Sequence, residues 1–197
     1  MRDNKIVKNN KDAKSNKALL KIGDVSLIGY QLLKLESMFK NVFIACKESQ
    51  KNELNNALQN DYANKNLTLK ENLFLLENEE TFSPMVGILN SFENLNTQKI
   101  FFISCDCPLI KPKTFKILSL NSTDFDITIA RDSTRFHPLI GVWDRKVLKK
   151  LKEVSKDSKI LDFINNFETK AIYFDENEFI NINTKNDYKI ALNFLKG

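Results

Sequence analysis

Apolar positions along the 197-residue chain switch between two spacings, and the switches mark its elements. After Met1, the opening stretch to Asn16 offers only Ile6 and Val7 as sizeable apolar residues, so it predicts a solvated lead-in. Leu27, Ile28, Leu32, Leu33, Leu35, Met38 and Phe39 then recur at helical spacing. The run NVFIAC (41–46) predicts a buried strand, the polar stretch 48–60 a helix, and Leu73–Leu76 another strand. Pro84 opens a helical run to Leu95, a position where proline is well tolerated. KIFFISC (99–105) is the most apolar strand in the chain and should be buried.

Residues 112–120 read as a helix, FDITIA (125–130) as a strand and FHPLIGVW (136–143) as its partner. Two helical stretches within 144–167, a strand at KAIYF (170–174) and a last helix complete the pattern. Thr184 and Asp187 form a capping-box-like start to that helix, which ends near Lys196. Repeated strand–helix alternation predicts an α/β fold with a mostly parallel central sheet. No linker or repeat divides the chain, so it parses as a basic polar segment, 1–16, and a single domain, 17–197.

Composition narrows the function classes. With 42% hydrophobic and 28% charged residues the chain reads as globular. No stretch approaches the roughly 18 apolar residues of a membrane span. Three cysteines, an odd number, fit a reducing cytoplasm better than a disulfide framework. The net charge of +5 is carried wholly by the first 21 residues, with seven basic and two acidic. Of 30 basic and 25 acidic residues in all, the remainder therefore holds 23 of each. A nucleic-acid binder would carry its basic face on the folded body, among aromatics, so nucleic acid is not an expected partner. An anionic small molecule stays open.

The sharpest local signal is FFISCDCPLI (101–110), where an apolar strand ends in Asp106 and Pro108 turns the chain. In open α/β sheets ligands bind beyond the carboxyl ends of strands, and a carboxylate there suits Mg²⁺, a hard ion that takes oxygen ligands. A turn-capping aspartate is the plainer alternative. Cys105 and Cys107 are one residue apart, which does not match the paired spacing of structural zinc, and they read as ordinary core cysteines. His137, the only histidine, is either a packed residue with one hydrogen bond or a substrate contact. Asn181 and Asn183 share a face if FININT (179–184) is extended, and could read a ring or phosphate, or tie a turn. Lys17 ends a lysine series spaced by three, which is a solvated face unless it meets phosphates.

Taken together, these segments resemble the molybdenum cofactor guanylyltransferases, from Lys17 to the C-terminus. NKALLKIGDVSLIGYQLLKL (16–35) is similar to the family's DK-x-LL segment and first helix, and FSPMVGIL (82–89) to its P-x-GPLAG-type turn. ISCDCPLI resembles the strand with the magnesium aspartate, HPLIGVW the family's HP strand, and FININTKNDY its N-x-NTP-x-D segment. The resemblance implies a Rossmann-like three-layer nucleotidyltransferase domain that uses Mg²⁺ and moves GMP from GTP to molybdopterin, releasing pyrophosphate. It implies Asp106 as metal ligand and catalytic residue, Lys17 as catalytic and phosphate-binding, and Asn78, or less favourably Glu77, at the guanine nucleotide. His137, Asn181 and Asn183 would line the molybdopterin side, and molybdoenzymes or their chaperones would be protein partners. The chain departs from the family at its glycine-rich GTP loop. IVKNNKDAKSNK (6–17) stands there, and no glycine precedes Gly23. A non-catalytic or truncated relative that binds molybdopterin or a partner, and a transferase using CTP or UTP, are the alternative readings.

Overall fold

A computed structural model describes residues 16–77, 83–155 and 158–196 of the chain. A 3₁₀ turn, Lys17–Leu19, leads into a small antiparallel hairpin of β1 (Lys21–Ile22) and β2 (Val25–Ser26), closed at Gly23 with φ +64°. This hairpin was not legible as strands, since two residues are too few to show a period. Helix α1 (Leu27–Glu36) follows directly, then β3 (Ile44–Lys47), α2 (Glu48–Ala63) and β4 (Phe74–Glu77). The second half runs α3 (Pro84–Asn94), β5 (Lys99–Phe102), α4 (Pro112–Leu120), β6 (Ile127–Arg131) and β7 (Phe136–Asp144). Two short helices, α5 (Leu148–Glu153) and α6 (Ile160–Ile164), precede β8 (Thr169–Tyr173) and the final helix α7 (Lys185–Lys196).

The chain is an α/β domain, as its alternation predicts. Strands joined through helices pair in parallel, β3 with β4 and β6 with β8. In the four-stranded sheet, ordered β5-β7-β6-β8, β7 runs against both neighbours. It returns from β6 over four residues without a helix, which permits only an antiparallel neighbour. Strands β5, β6 and β8 therefore all point one way. Ile127 and Ile129 on β6 face the layer that holds α3, α5 and α6, while Ala130 faces α4 and the end of α1. Strand β6 is buried on both faces, with Ile127, Thr128, Ile129 and Ala130 all closed to solvent.

The expectation that Lys99–Phe102 would be a fully buried strand is corrected. All four residues are half-buried. The reason is the edge: β5 pairs with β7 on one side, and no described strand lies along the other. Strand β3 is likewise paired only with β4 among the described residues.

A buried carboxylate fastens the start of this fold. Asp61, on α2, is only 1% exposed and accepts from the Ser26 amide at 2.9 Å and from the Ser26 hydroxyl. The Ser26 hydroxyl oxygen accepts in turn from the Gly29 amide at 3.1 Å, capping α1. Lys21 lies 3.6 Å from the second carboxylate oxygen. Position 29 must be glycine for this to fit, because a Cβ there would stand 2.3 Å from Asp61 Oδ2.

Removing the carboxylate should therefore be expensive. Asp61→Ala leaves the buried Ser26 donors unpaired and should lower stability by about 2–4 kcal/mol in urea unfolding. Gly29→Ala should destabilise the wild-type chain by about 1–3 kcal/mol through the clash. In the Asp61→Ala background only the residue-61 Cβ, 3.2 Å away, still crowds the new methyl, so the same change should cost much less than in the wild-type chain. Additive effects in this cycle would refute the contact.

Candidate active site

Four of the residues singled out by sequence converge at the carboxyl end of β5. Asp106 follows that strand on a turn, and its Oδ1 accepts from the Ser104 hydroxyl at 2.5 Å. The Asp106 carbonyl accepts from the Ile182 amide at 2.9 Å, which brings the segment 180–183 alongside. Ile182 is fully buried, and its neighbours Asn181 and Asn183 each make a side-chain hydrogen bond. Asn181 Oδ1 accepts from the Cys107 thiol at 2.7 Å. Asn183 Oδ1 accepts from Lys17 Nζ at 2.8 Å, a contact between residues 166 apart in sequence.

Several side chains that sequence reasoning passed over hold this group in place. From α1, Gln31 donates to the Cys107 carbonyl at 2.9 Å, and Lys34 donates to the carbonyls of Pro108 and Ile110 at 2.7 and 3.1 Å. Burial pushes the Lys34 ammonium down to about 8. Glu178, also buried, accepts from the Thr114 hydroxyl at 2.5 Å and from the Lys111 amide at 3.2 Å, tying the start of α4 to the segment before Asn181. Asp187 accepts from the Asn183 and Thr184 amides at 3.0 and 2.8 Å, and the Thr184 hydroxyl accepts from the Asp187 amide at 3.1 Å. The sequence did signal that last motif, as the expected capping box of α7.

His137 occupies a different setting. It is 7% exposed, stacks on Phe179 at 4.2 Å, and places Nε2 2.7 Å from Asp132 Oδ2. The packed alternative describes its surroundings, and its link to the asparagine pair runs through Phe179. Burial holds the imidazole below its ordinary value despite the pull of Asp132. Burial would raise the Asp132 carboxyl, but hydrogen bonds from Thr134, His137 and the Thr134 and Arg135 amides outweigh it and hold it well below the usual range.

Cys46 and Cys107 are buried and Cys105 is half-buried against the core. Burial pushes the Cys105 thiol up to about 12, and burial with the neighbouring Asp106 charge also raises Cys107 strongly. Among the described residues no three His, Cys, Asp or Glu side chains gather as a metal cluster. Asp106 thus offers a single carboxylate. Mg²⁺ is commonly held by one or two carboxylates, with substrate phosphates and water completing its shell, so the donor set fits that ion.

A second recess, of about 290 Å³, opens where β3 and β4 end. It is lined by Lys47, Gln50, Glu77, Ser83, Pro84 and Gly87 among others. Burial pushes the Glu77 carboxyl up, and nearby Lys47 only partly offsets this. Asn78 lies outside the described residues.

A family model described as the MobA-like NTP transferase domain matches residues 11–171. The chain belongs to this family. The molybdenum cofactor guanylyltransferase of Helicobacter pylori strain J99 is 37% identical over 186 residues, covering 92% of this chain and 80% of that protein. Among solved structures, molybdopterin-guanine dinucleotide biosynthesis protein A of Archaeoglobus fulgidus aligns with a TM-score of 0.67 at 18% identity, covering 91% and 90% of the two chains. A Mycobacterium tuberculosis protein solved in complex with manganese aligns at 0.69 and 14% identity, covering 94% of each. These two share the fold of the MobA-like domain described here. No helix among the described residues is long and apolar enough to cross a membrane.

The buried His137–Asp132 pair predicts a pH dependence. Because the folded imidazole lies below its ordinary value near 6.5, the folded state binds fewer protons than the unfolded one as pH falls through that value, and stability declines. The low Asp132 carboxyl acts in the same direction at more acid pH. In His137→Gln, the fall in unfolding midpoint between pH 7 and 5 should be shallower than in the parent chain. An equal slope in both would show that the histidine does not contribute.

Proposed function

We propose that the chain transfers GMP from GTP to the terminal phosphate of molybdopterin, a reading supported by its likeness to Helicobacter pylori proteins named molybdenum cofactor guanylyltransferase. The observation that carries this reading is the meeting of Lys17, Asp106, Asn181 and Asn183, from three distant parts of the chain, at the carboxyl end of β5. A phosphate oxygen of molybdopterin attacks the α-phosphorus of GTP, a new P–O bond forms, and the bond to the β-phosphate breaks to release pyrophosphate. No covalent enzyme intermediate is needed, so the work is positioning and charge stabilisation.

Lys17 neutralises the triphosphate as a point charge. Asp106 holds Mg²⁺, which supplies positive charge to the phosphate oxygens when bound. Asn181 and Asn183 offer donors and acceptors to the pterin or its phosphate. His137, buried and stacked on Phe179 at 4.2 Å, belongs to the same molybdopterin side. The guanine ring takes the recess at Glu77, with Asn78 as its sequence neighbour. Guanine presents N–H donors on the edge that carries its 2-amino group, and a carboxylate accepts from them.

Calorimetry of the 197-residue chain tests the phosphate end. Saturable GTP binding that needs Mg²⁺ is expected, with ATP and CTP weaker. Asp106→Ala and Lys17→Ala should each weaken it about tenfold or more, the effect of losing one charge-assisted contact. Unchanged Mg²⁺ dependence in Asp106→Ala would overturn the metal assignment. CTP binding as tight as GTP would favour the cytidylyl or uridylyl alternative, and no nucleotide binding by a cooperatively folded chain the non-catalytic one.

The base recess has its own test. The parent chain should prefer GTP over ITP, which lacks the 2-amino group, and Glu77→Gln should reduce that preference by about tenfold. An unaltered GTP-to-ITP ratio would remove Glu77 from base recognition.

A further inference from the structure

Asn181 and Asn183 are held by donors of different kinds, and both engage the same end of the carboxamide. The Cys107 thiol donates to Asn181 Oδ1 at 2.7 Å. Asp106 Oδ1 lies farther from that sulfur, at 3.6 Å, and already accepts from the Ser104 hydroxyl at 2.5 Å. The single thiol proton therefore serves the nearer oxygen, that of Asn181. Asn183 Oδ1 accepts from the Lys17 ammonium, a group with donors only, so this amide too must turn its oxygen to its partner. A carboxamide carries oxygen and NH₂ on separate branches, and fixing one fixes the other. Neither Nδ2 has a hydrogen-bond partner among the described residues. Asn183 is exposed and Asn181 half-buried, so water reaches both.

The thiol contact sets a torsion rather than the fold. The main chain on each side is tied without it: Gln31 donates to the Cys107 carbonyl at 2.9 Å, and the Ile182 amide donates to the Asp106 carbonyl at 2.9 Å. Cys107 is 1% exposed, which gives its sulfur a fixed place. Rotation about the last side-chain bond of asparagine is soft and roughly two-fold. Without the thiol, the Asn181 amide would offer its oxygen or its nitrogen to a ligand with little preference.

We propose that Cys107 is a positioning residue. Its thiol, through Asn181 Oδ1, turns that amide so that the asparagine pair presents N–H donors together, and the group they take is a phosphate oxyanion. Lys17 adds a positive charge beside Asn183. Donors and a cation suit phosphate oxygens, which are strong acceptors. The edge of a pterin ring carries N–H donors as well, and would need acceptors that are here engaged with the protein. This rests on the transferase reading above, and narrows it: the pair takes the phosphate of the acceptor, not its ring.

NMR of the full 197-residue chain tests it through the Asn181 side-chain amide signals, with inorganic phosphate as the probe. In the parent chain phosphate should shift these signals saturably, and hydroxymethylpterin, which has no phosphate, should not. Cys107→Ala should weaken the phosphate response about fivefold, the worth of one net hydrogen bond. It should also bring an Asn181 NH₂ proton into nuclear Overhauser contact with the residue-107 methyl. Cys107→Ser keeps a donor and should match the parent on both counts. A loss in Cys107→Ser as large as in Cys107→Ala would assign the effect to packing and overturn the positioning role. So would a Cys107→Ala response equal to the parent's. No phosphate response at Asn181 in the parent, or displacement of that phosphate by GTP with Mg²⁺, would overturn the acceptor assignment. None of these signals needs turnover. A phosphate response at Asn181 in a chain that bound no GTP would refute the transferase reading while the positioning of Asn181 stood.

Discussion

The contact between Asp61 and Ser26 fixes where the chain enters the domain, and the site depends on that entry. Ser26 is both the last residue of the hairpin and the cap of α1, so one buried carboxylate sets the hairpin against α2 and starts the helix in the same stroke. The Leu27 amide then donates to the Leu20 carbonyl at 2.7 Å, and the Tyr188 hydroxyl donates to the Lys21 carbonyl. With both sides held, Lys17 reaches Asn183 from a backbone that is already placed. Without Asp61, the long lysine side chain would have no fixed base.

The other half of the site is organised around a single backbone bond, from the Ile182 amide to the Asp106 carbonyl. Ile182 is fully buried, and the asparagines on either side of it meet the Cys107 thiol and the Lys17 ammonium. The segment is irregular in conformation, yet both its ends are tied: Glu178 secures it to α4, and Asp187 secures it to α7. A loop held this way supplies positioned donors without the entropy loss of ordering a free one.

Much of the fold was legible because its signals are local. Pro84 and Pro112 do begin helices, Thr184 and Asp187 do cap α7, and the apolar runs do fall on strands. Spacing put Asn181 and Asn183 on a common face only if the segment were extended, and residues 181–183 are not a strand. What stayed hidden depends on residues far apart in sequence. The role of Asp61 needs α2 folded against the hairpin. The Cys107–Asn181 bond spans 74 residues, and neither partner type announces it. The half-burial of β5 contradicts its composition because composition reports the environment a strand is suited to, not which neighbour lies beside it.

Helix α1 has a mechanical consequence. Its first turn is fixed to the hairpin that follows the Lys17 turn, and its middle, through Gln31 and Lys34, grips three carbonyls of the turn after Asp106. The helix is therefore a strut between the ammonium and the carboxylate. A displacement of α1 carries both ends with it as one rigid piece, so breathing of the surrounding sheets alters the position of the pair far more readily than its spacing.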